Sequence, residues 1–141
     1  MRRDARAYLL DLIDACEAIG FALAGVEFDE YRANRILRSA VEREFITIGE
    51  AAAALASLDP SLFSHLTNGR RIVDFRNQLT HEYPHVDDRI VWLVARDDVP
   101  VLRSESEGLA CGRGRRRLTS ASPDARQRSD ALGPQPAQVM R

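Results

Sequence analysis

The segment FRNQLTHEYPH, residues 75–85, sets Arg76, Asn77, His81 and Tyr83 within two helical turns of one another, and Pro84 follows at once. Each residue type suits one part of phosphate chemistry. Arginine keeps its proton and presents a planar fork that donates bidentately to phosphate oxygens. Histidine is the side chain whose ordinary ionisation lies closest to neutrality, which suits a general acid or base. Asparagine adds a neutral donor beside them. The segment therefore has the means to bind a phosphate and to move a proton next to it.

Positioning these groups requires a helix. Ile72, Phe75 and Leu79 recur at i, i+3 and i+7, an apolar stripe to bury, with the polar residues on its margin. Arg76 and His81 lie roughly 140° apart around such a helix and about 7.5 Å apart along it, within reach of a long guanidinium. Asn77 and His81, at i and i+4, share one ridge. The residue before a proline is pushed out of the helical region, so the helix should stop before Pro84 and leave Tyr83 projecting from its end.

The pattern Arg76, four residues, His81, one residue, Tyr83, with Asn77 directly after the arginine, resembles the motif of the HEPN nucleases. It is most similar to the HepT-like toxin branch, whose members pair with a small nucleotidyltransferase antitoxin of the MNT type in type VII toxin-antitoxin systems. The segment Ile48-Gly49-Glu50-Ala51 resembles the same branch, as do Val86-Asp87, Val91-Trp92 and Asp98-Val99-Pro100 with Leu102; the likeness covers residues 4–104.

The resemblance implies a homodimer whose motif helices face each other, so that two histidines and two arginines share one cleft. In that cleft His81 would be the general acid/base, Arg76 the clamp on the phosphate, and Asn77 a positioning donor. RNA would be cut without a metal or other cofactor by attack of its own 2′-hydroxyl. It also implies that the antitoxin attaches AMP to Tyr83 and so blocks the cleft. Glu50 is expected to support Arg76, either by orienting it or as a structural ion pair. The alternative is a non-catalytic HEPN module that docks beside a nucleotidyltransferase and holds a nucleotide phosphate with the same motif. His81 and His85 have the spacing of a helical metal pair, but Pro84 interrupts it and no third ligand is evident.

The chain has 141 residues and 45% hydrophobic content, enough for one helical domain. All twenty basic side chains are arginine. Residues 1–104 hold 13 arginines against 17 acids, and residues 105–141 hold 7 against 4. The body is thus no broad basic surface, and any contact with RNA must be local. Two cysteines, Cys16 and Cys111, do not make a disulfide framework; Cys16 falls on an apolar stripe. Asp11, Asp14 and Glu17 interrupt any signal-like apolar run, and no segment approaches membrane length, so a cytoplasmic protein with no membrane contact is expected.

The remaining chain reads as helices with short connections. Leu9, Ile13, Cys16, Gly20 and Leu23 suggest a first helix from Asp4, ending at Ala24-Gly25. A second should run from Asp29 to Leu58 through Leu37, Val41, Phe45, Ile48, Ala52 and Leu55. Asp59-Pro60 opens a short one to Leu66, and the motif helix spans Arg70 to Glu82. Asp87 caps the next, Asp98 with Pro100 restarts the chain as a last short helix, and Trp92 reads as core or dimer interface. No useful period-2 alternation occurs, which predicts an all-α, up-and-down bundle of four to five helices over residues 1–107. Residues 108–141, rich in Gly, Ser, Pro, Gln and Arg, are predicted to be a disordered tail.

Overall fold

The computed structural model of the protein describes residues 3–81 and 86–119. These residues form six helices and no strand: α1 (Ala5–Ala22), α2 (Phe28–Ala33), α3 (Arg35–Leu58), α4 (Pro60–Phe63), α5 (Gly69–His81) and α6 (Asp88–Thr119). The chain divides into one compact unit, Met1–Ala110, and a second, Cys111–Arg141. All packing below belongs to the first.

The all-α expectation holds, with the element boundaries moved where capping residues act. Asp4 caps α1 by accepting from the Ala7 amide at 2.9 Å. The buried face of α1 is Leu9, Leu12, Ala15, Cys16 and Ile19. Gly20, expected on that stripe, is exposed. Gly25 leaves the helix with a φ of 70°, a conformation that side chains strain to adopt.

The single helix expected from Asp29 to Leu58 is two. Asn34 adopts extended backbone and caps α3, its side-chain oxygen accepting from the Leu37 amide at 3.1 Å. An asparagine that can satisfy an orphan amide competes with helix continuation. α3 is the hub of the bundle: α1, α2, α4 and α5 all pack on it, and Val41, Phe45, Ile48, Ala52 and Leu55 are buried as the spacing predicts. Asp59 caps α4 at the Leu62 amide, 3.0 Å away, with Pro60 in the first turn; the helix ends at Phe63, short of Leu66.

The expected break at Asp98-Pro100 is absent, because α6 runs through Pro100. Pro100 is exposed, so water can satisfy the carbonyl that its missing amide abandons. Val99 and Leu102 on the inner face stay buried, which favours continuing the helix through the defect. Asp87 caps α6 as expected, accepting from the Arg89 amide at 2.8 Å. The helix also passes Gly108, the boundary expected for the tail, and reaches Thr119. The tail beyond that point lies outside the described residues.

Trp92 belongs to the core. It is 7% exposed and meets Phe28 edge-on at 6.0 Å and Tyr31 at 5.5 Å, so it offers no face for base stacking. Among the described residues no helix is long and apolar enough to cross a membrane.

Candidate functional site

α5 carries the motif, and its inner face anchors it. Ile72, Phe75 and Leu79 are buried, and the Phe75 ring meets Phe45 of α3 edge-on at 5.1 Å. This fixes the rotation of α5 and places Arg76, one residue on, at the border of the α3–α5 contact. Arg76 is half-buried, while Asn77, Gln78, Thr80 and His81 are exposed.

The front of α5 is held firmly. A Cβ at Gly69 would lie 2.8 Å from the Phe63 ring, so the absent side chain lets the start of the helix pack against that ring. The Thr67 amide donates to both carboxylate oxygens of Glu105, at 3.1 and 3.2 Å, and the Thr67 hydroxyl donates at 2.6 Å. Buried Asp98 and Arg71 approach to 3.4 Å, an ion pair without a well-aligned hydrogen bond. Asp98 and Glu105 stand seven residues apart on α6, two turns along one face, and together grip this end of α5.

Arg76 lies against α3 where that helix has no side chain. A Cβ on Gly49 would sit 2.1 Å from Cβ of Arg76 and 2.5 Å from its Cγ. The arginine Nε is buried and has no hydrogen-bond partner among the described residues. Its Nη1 donates to Asn77 Oδ1 at 2.8 Å. A guanidinium can only donate, so the asparagine must turn its oxygen inward and leave its amide nitrogen as an outward donor. Two adjacent residues thus present one donor surface, made of the terminal guanidinium nitrogens and the Asn77 amide. The Thr80 hydroxyl donates back to the Arg76 and Asn77 carbonyls at 3.0 and 3.2 Å and tightens this turn.

His81 is the last residue of α5, exposed, one turn beyond Asn77. Tyr83, and His85 of the possible metal pair, lie outside the described residues. Among the described residues, no group of three or more histidine, cysteine, aspartate and glutamate side chains could hold a metal.

Glu50 is exposed, and among the described residues no ion pair joins it to Arg76, whose side-chain hydrogen-bond partner is Asn77. One step along a helix turns about 100°, which carries Glu50 off the face that Gly49 turns to α5.

A second polar cluster, not foreseen from the sequence, surrounds the start of α6. Arg38 of α3 approaches Asp88 to 3.9 Å and also bonds to the Arg32 carbonyl. The Tyr31 hydroxyl is buried without a hydrogen-bond partner among the described residues, and burial, followed by Glu42 and Asp88, pushes its ionisation up. Glu42 is raised by burial and then by Asp88, with Arg38 opposing. Burial likewise pushes the Cys16 thiol up to about 12, the behaviour of a core thiol and not of a nucleophile.

The comparisons with known proteins agree on one family. A family model described as ribonuclease HepT-like matches residues 12–109. A Methanocaldococcus jannaschii protein named as a candidate RNase is 27% identical over 106 residues, 75% of this chain and 96% of its own. A Thermococcus cleftensis protein named "Probable ribonuclease HepT" is 28% identical over 109 residues, 77% of this chain and 98% of its own. A Caldanaerobacter subterraneus protein named as a candidate RNase is 28% identical over 100 residues, 71% and 88% of the two chains. No solved structure matches significantly.

Proposed function

Because the chain belongs to the HepT-like ribonuclease family, we propose that it is an endoribonuclease that cuts RNA by attack of the 2′-hydroxyl, with Arg76 and His81 as its catalytic residues. The observation that carries this reading is the Arg76–Asn77 pair, joined at 2.8 Å, with exposed His81 one turn further along the same helix. An imidazole takes the proton of the 2′-hydroxyl, whose oxygen attacks the adjacent phosphorus. The 5′-oxygen leaves with a proton from a second acid, and a 2′,3′-cyclic phosphate remains. As the phosphorus gains its fifth oxygen, charge grows on the two non-bridging oxygens. The terminal nitrogens of Arg76 and the Asn77 amide meet that charge without reorganising.

One imidazole per chain is sparse for two proton transfers. A homodimer with facing α5 helices brings a second His81 and Arg76 into one cleft and divides the acid and base roles between copies. Nothing in this set requires a metal ion, and a substrate lacking the 2′-hydroxyl cannot react.

In the toxin-antitoxin reading, a nucleotidyltransferase partner controls the site. The Tyr83 phenol oxygen attacks the α-phosphorus of ATP, pyrophosphate leaves, and AMP remains two residues from His81. That bulky anion excludes RNA by size and charge.

The test is RNA cleavage by the purified protein in EDTA, beside His81→Ala, Arg76→Ala and a DNA control. Cyclic-phosphate products from the native protein alone support the nuclease. A folded, dimeric native protein without activity favours a docking module, in which the same donors hold a nucleotide phosphate.

A further inference from the structure

A glycine inside a helix costs about 1 kcal/mol relative to alanine, and Gly49 stands inside α3, a helix of 24 residues in which four alanines, Ala51 to Ala54, begin two residues later. Its reason is spatial. The atom that a Gly49 side chain would strike at 2.1 Å is the Cβ of Arg76, which the backbone fixes and no rotamer can move; Cα of Arg76 follows at 3.5 Å. α5 therefore meets α3 at Arg76, the residue whose chemistry matters, with no room left for a side chain at Gly49.

The consequences appear along the arginine. Its stem lies in the notch, its Nε is buried, and its Nη1 is turned onto Asn77. A freely moving arginine carries about 2 kcal/mol of rotamer entropy, which it must lose to hold a phosphate. Seating the stem removes that cost before substrate arrives. With Nε turned into the notch, the guanidinium can meet a phosphate only end-on, through its two terminal nitrogens. Arg71, five residues earlier on the same helix, lacks such a seat: its side chain is 65% exposed and it pairs with Asp98.

We propose that Gly49 is a positioning residue for Arg76, its absent side chain seating the arginine stem so that the guanidinium is presented end-on to the phosphate. The proposal rests on the nuclease reading for its kinetic consequence but not for its structural one, and both can be measured on the full chain. Exchange of the Arg76 Nε proton with solvent, followed by NMR, reports the seat directly, with the other arginine signals as internal controls. In Gly49→Ala this proton should exchange at least about tenfold faster. RNA cleavage should lose about tenfold or more in kcat with little change in KM, because the lost contact is one to charge that develops in the transition state.

A folded Gly49→Ala protein with unchanged Nε exchange and unchanged kcat overturns the proposal. If Gly49→Ala does not fold, Gly49→Ala/Arg76→Gly must recover native helicity and melting, since it removes the struck atoms; failure of the double variant also overturns it. If the native protein cuts no RNA, the nuclease reading falls, while Nε exchange still decides whether Gly49 seats Arg76.

Discussion

The two ends of α5 are treated in opposite ways. At the front, Gly69 fits under Phe63, Thr67 is gripped by Glu105, and Arg71 meets buried Asp98, so polar groups there pair with groups on another helix. At the back, among the described residues, the Arg76 guanidinium bonds to its neighbour Asn77 and to no other helix, and Asn77 and His81 face solvent. A helix anchored at one end and along its inner face can leave charged groups at the other end uncommitted to structure. Their pairing capacity stays open, and the anchored end keeps them from wandering.

The largest effects should separate the two ends by kind. Arg76→Ala and His81→Ala are each expected to lower RNA cleavage by about 10²–10⁴-fold while melting within a few degrees of the native protein. Arg71→Ala, the same change at the gripped end, should leave cleavage within about threefold, since that guanidinium is already spent on Asp98. Equal losses from Arg71→Ala and Arg76→Ala would erase the distinction.

The inner face should behave differently again. Phe75→Ala removes a buried ring that packs edge-on against Phe45, and about 3–5 kcal/mol of stability should go with it. Denaturant unfolding measures this, and a loss below about 1 kcal/mol would mean that Phe75 does not set the rotation of α5. At the front, Glu105→Ala leaves the Thr67 amide and hydroxyl without their carboxylate, which should cost about 1 kcal/mol. The chemical step should be little changed, because the anchored inner face keeps Arg76 in place.

The motif and the helical class were legible in the sequence because both follow from short-range pattern. Residue type and spacing define the Arg76–His81 set, and the 3.6-residue period of Ile72, Phe75 and Leu79 defines its helix. The break at Asn34 carried a signal, a good capping residue, that the helical run around it outweighed. Pro100 carried the reverse, a breaker overruled by the buried residues on both sides of it. Gly49 was visible as part of a motif, but its contact with Arg76 depends on how α3 and α5 cross, which no local pattern states. The same holds for the Glu105 grip on Thr67, 38 residues away.

The smallest effect concerns what lies beyond the free end of α5, where α6 begins. Arg38 faces two carboxylates there, Asp88 and Glu42, and one guanidinium cannot fully offset both. Burial raises Glu42, and Asp88 adds to it, so the folded protein holds that proton more tightly than the unfolded chain does. For a raised carboxylate the sign is unfavourable: folding carries the burden at neutral pH and sheds it as pH falls through the raised value toward the ordinary 4.5. Glu42→Gln should therefore melt roughly 1–3 °C above the native protein at pH 7, and the gap should close on acidification. A gap that stays constant with pH would mean that Glu42 is compensated as fully as the carboxylates that hold the front of α5, and the contrast between the two ends would stop at His81.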